Sequence, residues 1–483
     1  MSMAPKNLLF IFSDEHNRDM LGCYGHTVVK TPNLDRLAAR GIRFTDAYCN
    51  SPICVPSRAS LATGRYVHEI RAWDNAAPYI GERPSWGHRL AAAGHHVTTI
   101  GKLHYRFPDD PTGFADQRLP MHVQDGEGDI YSLIREDMAA RPEARARALE
   151  AGPGESQYSR FDRANTQEAT RWLREEARRY EKPWALFVGF VTPHFPLIAP
   201  KEFYDLYPLD EVTLPRQYGL AERPSHPSID ELRRVFDLAD EFDEPTLRKA
   251  IAAYYALCSF MDAQVGAVLQ ALTESGLEGE TRVIYTSDHG DQVGEHGVWW
   301  KSTMYEGSAA IPFITAGPDI PENQVCHTPI SLVDCFPTIL EGIGVPLAPE
   351  DHDLPGTSLW PIARGEIAPE RTIFSEYHAI GSEHGFYMIR HRQYKYVYYV
   401  DARPQLFDLA RDPGENCDLA LDPAYASVLD ECEAALRQIC DPEAVDREAH
   451  QDQARLIDQH GGKAAVLARG YQIPYTPAPE IFR

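Results

Sequence analysis

Cys54 stands two residues before a proline in "NSPICVPSRASLATGRY", Asn50 to Tyr66, with Ser57 and Arg58 following and a short run closed by Thr63, Gly64 and Arg65. The spacing excludes the common uses of a reactive cysteine. Cys49 and Cys54 make no CxxC pair, which a zinc ribbon or a redox disulfide requires. Arg58 also follows Cys54 too closely for the anion-cradling loop of a thiolate phosphatase. Pro56 suits the first position of a helix running to Gly64. That helix would set Cys54 at its N-terminal mouth, where amide N–H groups and the dipole favour negative charge and a thiol pKa falls. The competing assignment is a buried, inert thiol.

Other reactive residue types recur directly after short apolar runs. Leu8–Phe12 leads to Asp14 and Glu15, Val97–Ile100 to Lys102 and His104, Trp184–Phe190 to Thr192 and His194, and Val283–Thr286 to Asp288 and His289, with Lys301 a little later. Each run reads as a parallel strand buried on both faces. Ligands bind an open α/β sheet at the carboxyl ends of its strands, so these groups are expected at one edge. Asp14, Asp288 and His289 form a metal set there. Two carboxylates and an imidazole suit one divalent ion, Mn²⁺ or Ca²⁺, with Mg²⁺ as a third choice. Taken singly, each residue has an ordinary job: an aspartate caps a helix, a lysine is solvated, a histidine is hydrogen-bonded. Their joint placement carries the reading.

The elements that must position these groups follow from punctuation and periodicity. "TPNLDRLAARG" offers Thr31 as N-cap, Pro32 at the first helical position and Gly41 at the end. Pro245 to about Ser275 reads as one long, mostly apolar helix. Alternating strands and helices predict an α/β fold, a doubly wound and mostly parallel sheet flanked by helices, over residues 1–365. Past residue 365 the pattern changes. Phe386–Val400 alternates like a strand, and a helix follows near Ala424–Cys440, so 366–450 reads as a small antiparallel-sheet subdomain. Residues 451–483, with the proline-rich "RGYQIPYTPAPEIFR", read as an extended tail packed on a neighbouring subunit in a dimer or tetramer. The polar stretches 104–165 and 197–243 read as insertions that wall a pocket.

The chain has 483 residues, 43% of them hydrophobic, and a net charge of −24 from 71 acidic and 47 basic side chains. A phosphate backbone or an anionic membrane needs a basic face, so neither nucleic acid nor membrane is an expected partner. Nine cysteines with no regular spacing suggest reduced thiols and a cytoplasmic protein. The apolar run before Asp14 is too short for a signal peptide or a membrane span.

"CVPSRASLATGR", Cys54 to Arg65, resembles the C-x-P-S-R-x4-T-G-R signature of the type I sulfatases of the alkaline phosphatase superfamily at every fixed position. "GKLH" (101–104), "TPHFP" (192–196), "TSDHGDQVGEHGVWWK" (286–301) and the segment from "YKYVYY" to "NCDLA" resemble further family segments, so the likeness spans nearly the whole chain. The resemblance implies that a formylglycine-generating enzyme converts Cys54 to formylglycine, whose hydrate is the nucleophile on a small anionic ester. It implies metal roles for Asp14, Asp288, His289 and the modified Cys54, and catalytic roles for Arg58, Lys102, His104, His194 and Lys301. His194 would protonate the leaving alcohol, and His104 would act as base in sulfate release. The Asp14-Glu15 and Asp288-His289 pairs depart from the Asp-Asp and Asp-Asn of calcium arylsulfatases. They look more like phosphonate monoester hydrolases and choline sulfatases, and "WDNAAPY" (73–79) resembles the latter and points Asn75 at the substrate.

The expected activity is hydrolysis of sulfate monoesters with promiscuity toward phosphonate monoesters and phosphodiesters. Two alternatives stand beside it: a phosphonate monoester hydrolase or phosphodiesterase using the same residues, and an unmodified, catalytically silent binding protein.

Overall fold

The structure, a computed structural model, describes residues 4–366, 370–470 and 476–480. Its principal sheet has eight strands: β1 (Asn7–Asp14), β2 (Gly41–Phe44), β3 (Val97–Lys102), β4 (Asp116–Met121), β5 (Ala185–Pro193), β6 (Thr281–Ser287), β7 (Phe313–Ala316) and β8 (Gln324–Cys326). The spatial order is β8-β2-β7-β6-β1-β5-β3-β4. Only β7 pairs antiparallel with its neighbours. The four apolar runs of the sequence are the contiguous centre of this sheet, β6-β1-β5-β3.

Alternate residues of β1 explain why the sheet is covered on both sides. Leu8, Phe10 and Phe12 point into one core with Trp86, Leu90 and Ile339. Leu9 and Ile11 point into the other with Leu34, Trp172, Met261 and Val265. The helices supplying these contacts include α1 (Pro32–Ala39), α2 (Cys54–Thr63), α3 (Gln157–Glu175) and α4 (Glu244–Glu274). Helix α4 starts at Asp243, whose carboxylate accepts the Thr246 N–H at 2.8 Å, and gives way to Gly276 in the left-handed region (φ 67°). It is long and apolar enough to cross a membrane, but 78% of its most apolar window is buried inside the fold.

A second sheet of four antiparallel strands, β9 (Thr372–Tyr377), β10 (Phe386–His391), β11 (Tyr394–Tyr399) and β12 (Gln405–Asp408), follows. The run Phe386–Val400 is therefore a hairpin. One face of this sheet packs Ile373, Phe386 and Met388 against Tyr48 and Ile53, directly behind Cys54. The other packs Phe374, Tyr387 and Leu406 against helices α5 (Ala426–Ile439) and α6 (Pro442–Gln459).

Several expectations are corrected. The stretch 451–483 is not extended throughout: α6 runs to Gln459 and α7 covers Lys463–Arg469. Tyr471, Ile473, Tyr475, Ile481 and Phe482, on which the intersubunit tail rested, lie outside the described residues. Thr476 and Ala478 pack on their own chain, where Tyr158 Oη donates to the Thr476 carbonyl and the Ala478 N–H donates to Gln157 Oε1 at 2.9 Å. Helix α2 begins at Cys54, so Pro56 is its third residue, a position whose missing N–H has no intrahelical partner to lose. Thr31 holds the N-cap position without a side-chain cap; its hydroxyl accepts the Gly22 N–H and lies 3.2 Å from Asp35. The polar stretch 104–165 contains the start of the long helix α3.

Candidate active site

The carboxyl ends of β1, β3, β5 and β6 and the first turn of α2 meet at one point. Cys54 is the first residue of α2, which is buried along its whole length. The Val55 N–H, one of the donors left over at a helix start, donates to Asn75 Oδ1 at 3.1 Å. Cys54 Sγ lies 3.2 Å from His289 Nε2, 3.3 Å from Lys301 Nζ and 3.6 Å from Asp14 Oδ1. One turn along α2, Arg58 reaches across the sheet edge. Its Nε donates to Asp288 Oδ2 at 2.7 Å and its Nη2 to Asp14 Oδ2 at 3.0 Å, while Nη1 holds the Lys102 carbonyl at 3.0 Å. The planar fork thus fixes both carboxylates at once.

The donor set fits a divalent ion. Asp14, Cys54, Asp288 and His289 each offer one ligand atom, and all four atoms lie within 4.8 Å of one another. His289 Nδ1–H donates to the Gly290 carbonyl at 3.0 Å, which turns the bare Nε2 toward Asp14 Oδ1 (3.9 Å) and Asp288 Oδ1 (3.7 Å). Such an outer hydrogen bond fixes the tautomer of a metal-binding histidine. Two carboxylate oxygens and one imidazole nitrogen, with the Cys54 sulfur as the fourth atom, make a mixed donor set.

Electrostatics follow from deep burial. Desolvation alone would raise the Asp14 carboxyl, but Lys102, at 2.5 Å, with His194 and Arg58, holds it well below the usual range. The Cys54 thiol does not behave as its place at a helix mouth suggested. Burial, then the Asp14 charge, push its pKa up to about 12, outweighing the opposite pull of Lys301 and Lys102. The sulfur is a thiol in this setting rather than a ready thiolate. His104 and His194 both fall well below the ordinary histidine range, first through burial and then through Lys102 and Lys301 respectively.

His194 donates from Nδ1 to the Phe195 carbonyl at 2.7 Å, so Nε2 faces the site, 3.2 Å from Glu15 Oε2. The loop carrying His194 is held by Asp162 of α3, whose carboxylate accepts the N–H groups of Val191 and Thr192 at 2.9 and 2.8 Å. His104 Nε2 lies 2.9 Å from the Thr476 hydroxyl, and its Nδ1 is buried without a hydrogen-bond partner. Glu15 and His104 both sit at positive φ, 63° and 64°, a conformation that non-glycine residues hold only where the surroundings enforce it. Glu15 Oε2 accepts from Lys301 Nζ at 2.9 Å, and burial lifts its pKa to about 7.

All of the expected residues therefore gather around Cys54. Asn75 also supports the helix start. Glu15, Asp162 and Thr476 were not singled out for these positions. Glu15 adjoins Asp14, and Asp162 is a lone carboxylate on the buried stripe of α3. Thr476 left no local signal. Above the site opens a cavity of about 230 Å³. Its floor has Cys54, Lys102 and Lys301. Its walls bring Asp125, Asp129 and Arg141 from the stretch 104–165, and aromatic groups including Phe195 and Trp300.

Comparison with known proteins follows the same outline. The family profile described as Sulfatase matches residues 6–345, and one described as N-sulphoglucosamine sulphohydrolase, C-terminal, matches residues 294–441. Arylsulfatase K of Bos taurus is 31% identical over 474 residues, covering 93% of this chain and 84% of the relative. Choline-sulfatase of Rhizobium meliloti (strain 1021) is 32% identical over 442 residues, covering 88% and 84%. Among solved structures, the phosphonate monoester hydrolase of Agrobacterium radiobacter aligns with a TM-score of 0.72 at 23% identity, over 92% of this chain and 96% of that one. A 2-O GAG sulfatase aligns with a TM-score of 0.67 at 23% identity, over 99% and 100%. These two structural likenesses speak for the fold.

Proposed function

This chain belongs to the sulfatase family of sulfate-ester hydrolases, and we propose that it cleaves sulfate monoesters with residue 54, converted from cysteine to formylglycine, as nucleophile and one divalent ion held by Asp14, Asp288 and His289. The observation that carries this reading is the position of Cys54 Sγ, at the floor of the cavity and within 3.6 Å of His289 Nε2, Lys301 Nζ and Asp14 Oδ1. Formylglycine hydrate would supply a hydroxyl nucleophile, together with a second hydroxyl that permits release of the product. The ion, when bound, would supply Lewis-acid stabilisation and ionise that hydroxyl near neutral pH.

The chain's own residues supply the rest. Arg58 occupies the Oδ2 atoms of Asp14 and Asp288, which leaves their Oδ1 atoms on the side of His289 Nε2, where these residues would hold an ion. Lys102 and Lys301 place positive charge beside residue 54, where the transferring group gathers negative charge; a donor so placed is worth roughly 10²–10³ in rate. His194, anchored through Nδ1, presents Nε2 toward the leaving oxygen; burial and Lys301 keep the imidazole neutral in the free site, and the charge of a bound anionic ester would favour the protonated form that passes a proton to that oxygen. In His104 the Thr476 hydroxyl engages Nε2, which leaves Nδ1 to accept a proton during product release. Each such acid or base contributes typically about 10²–10⁴-fold.

The same groups suit a phosphonate monoester, which also brings one negative charge to two lysines and one ion, so promiscuity toward such esters and phosphodiesters is part of the proposal. A formylglycine-generating enzyme is the implied partner. The nine cysteines are all unpaired, which supports a reducing compartment such as the cytoplasm. The test is turnover of an aryl sulfate and a phenyl phosphonate ester by one metal-loaded, fully modified preparation. Turnover of the sulfate supports the reading. Turnover of the phosphonate alone would shift the assignment to the phosphonate hydrolase. Failure on both would overturn it.

A further inference from the structure

A second group of metal-ligating side chains lies outside the catalytic residues. His384, in the loop before β10, faces Asp446 and His450, which stand four apart on α6 and therefore share one helix face. His384 Nδ1 lies 3.1 Å from Asp446 Oδ2, and His450 Nε2 lies 3.6 Å from the same oxygen. All three atoms fall within 4.8 Å of one another.

The surroundings orient each of them. The Gly385 N–H donates to Asp446 Oδ1 at 2.6 Å, and Arg135 approaches that oxygen at 3.6 Å, so Oδ2 is the atom left for the histidines. A side chain at residue 385 would collide with His378 and Asp446, and this close approach needs glycine. His384 Nε2 lies 3.4 Å from Asp401 Oδ2. Without an ion, His384 Nδ1–H donates to Asp446 Oδ2 at 3.1 Å; moving that proton to Nε2, beside Asp401, would free the Nδ1 lone pair for a metal. His450 Nε2 is buried and has no hydrogen-bond partner. Two imidazoles and a carboxylate therefore converge, with a second carboxylate behind one of the imidazoles, which is the outer-shell arrangement of metal-binding histidines.

We propose that His384, Asp446 and His450 bind a second divalent transition ion, of the Zn²⁺ or Co²⁺ class, with Asp401 as the orienting partner of His384. Two imidazoles and one carboxylate disfavour Ca²⁺ and Mg²⁺, which prefer oxygen-rich sites. Ligand bonds of about 2.0–2.2 Å place neighbouring donors of a tetrahedral ion roughly 3.3 Å apart, and the observed 3.1 and 3.6 Å bracket that spacing. The side chains of His384 and His450 are 35% and 30% exposed, so the cluster lies near the surface. Bound there, it would staple α6 to the loop before β10. The same helix carries Gln453, whose amide donates to Asp74 Oδ2 and to the His378 carbonyl, both at 2.7 Å. Asp74 precedes Asn75 at the catalytic cavity, so the staple braces one wall of that cavity.

The test weakens the catalytic site and reads the second site as a difference between two proteins. Chelator-treated, full-length Asp288→Asn protein is titrated with Zn²⁺ by calorimetry, beside the same protein carrying His384→Gln and His450→Gln. The expected result is one zinc equivalent and a rise in melting temperature that are lost together in the second protein. Equal stoichiometry and an equal melting shift in both would overturn the proposal. Should the multiple variant fail to fold, X-ray absorption of cobalt-loaded Asp288→Asn protein decides. An ion with two imidazole ligands supports the site, and one with a single imidazole or oxygen alone overturns it. The calorimetric comparison is between two proteins with the same residue 54, so its modification state cancels in the difference.

Discussion

Replacing Arg58 with methionine should destabilise the chelator-treated protein by about 3–5 kcal/mol, the usual cost of breaking a buried ion pair from one side. The guanidinium is 1% exposed and bridges two fully buried carboxylates, Asp14 and Asp288, at 3.0 and 2.7 Å. At an effective dielectric of about 20, each contact near 3 Å amounts to roughly 5 kcal/mol of attraction before desolvation. Methionine fills similar volume and leaves the stacking over Phe12, now at 4.9 Å, partly satisfied, so the loss reports chiefly on the charges. Saturating Mn²⁺ should narrow the difference, because an ion at Asp14 and Asp288 neutralises the carboxylates that the arginine no longer pairs. Arg58→Lys should lose about half as much, since an ammonium reaches one carboxylate and cannot bridge two. Urea denaturation in chelator and in Mn²⁺, for all three proteins, reads these quantities. An Arg58→Met protein within about 1 kcal/mol of the parent in chelator, or a deficit that Mn²⁺ leaves unchanged, would refute the reasoning.

Four further outcomes follow from the same contacts. Lys301→Ala, which removes the cation 3.3 Å from residue 54, should lower kcat by roughly 10²–10³; steady-state kinetics showing a KM change alone would remove it from the transition state. His194→Ala should slow esters of poor leaving groups by about 10²–10⁴ and activated nitrophenyl esters far less; equal losses across a series of phenols would contradict the acid role. The partly buried His68–Glu376 pair, 2.9 Å apart, should make stability pH-dependent. Burial opposes the charged imidazole, but Glu376 outweighs it and raises the His68 pKa, while burial is likewise outweighed at Glu376, held at about 2 by His68 and His378. The His68 contribution is therefore full below about 6.5 and lost as pH rises through the folded pKa. The Glu376 contribution is present above about 4.3 and lost toward pH 2. The melting difference between the parent and His68→Gln should peak near pH 5–6 and shrink by pH 9, and a flat difference would contradict the pairing. Finally, truncation after Gly470 removes Thr476 from His104 and Tyr158. It should reduce thermal stability and turnover while leaving the molar mass by light scattering unchanged; a fall in molar mass would restore the intersubunit tail.

The centre of the sheet was legible because β6, β1, β5 and β3 are buried on both faces and leave unbroken apolar runs. The flanking half was not. Gly41–Phe44 and Phe313–Ala316 are four residues each, too short for a periodic signal, and Gln324–Cys326 is an exposed edge with no reason to be apolar. Helix α3 was hidden for a different reason: Tyr158, Phe161, Ala169 and Trp172 form a narrow buried stripe among charged residues, so its average composition reads as a loop. The site was legible where its residues directly follow a strand or lie in the Cys54–Arg65 segment. It was not legible where a contact depends on distant chain. The meeting of Thr476 with His104 and of Lys301 with Glu15 is set by packing alone. The thiol pKa was misjudged because helix position was visible in the sequence and depth of burial was not.

The central claim is that residue 54 works as formylglycine. Peptide mass spectrometry of the tryptic fragment Phe44–Arg58, on samples made with and without a formylglycine-generating enzyme and assayed in parallel on an aryl sulfate, tests it most directly. The account predicts that turnover rises in proportion to the fraction of residue 54 converted to the aldehyde and vanishes in Cys54→Ala. Full activity in a sample whose Cys54 is entirely an unmodified thiol would contradict it.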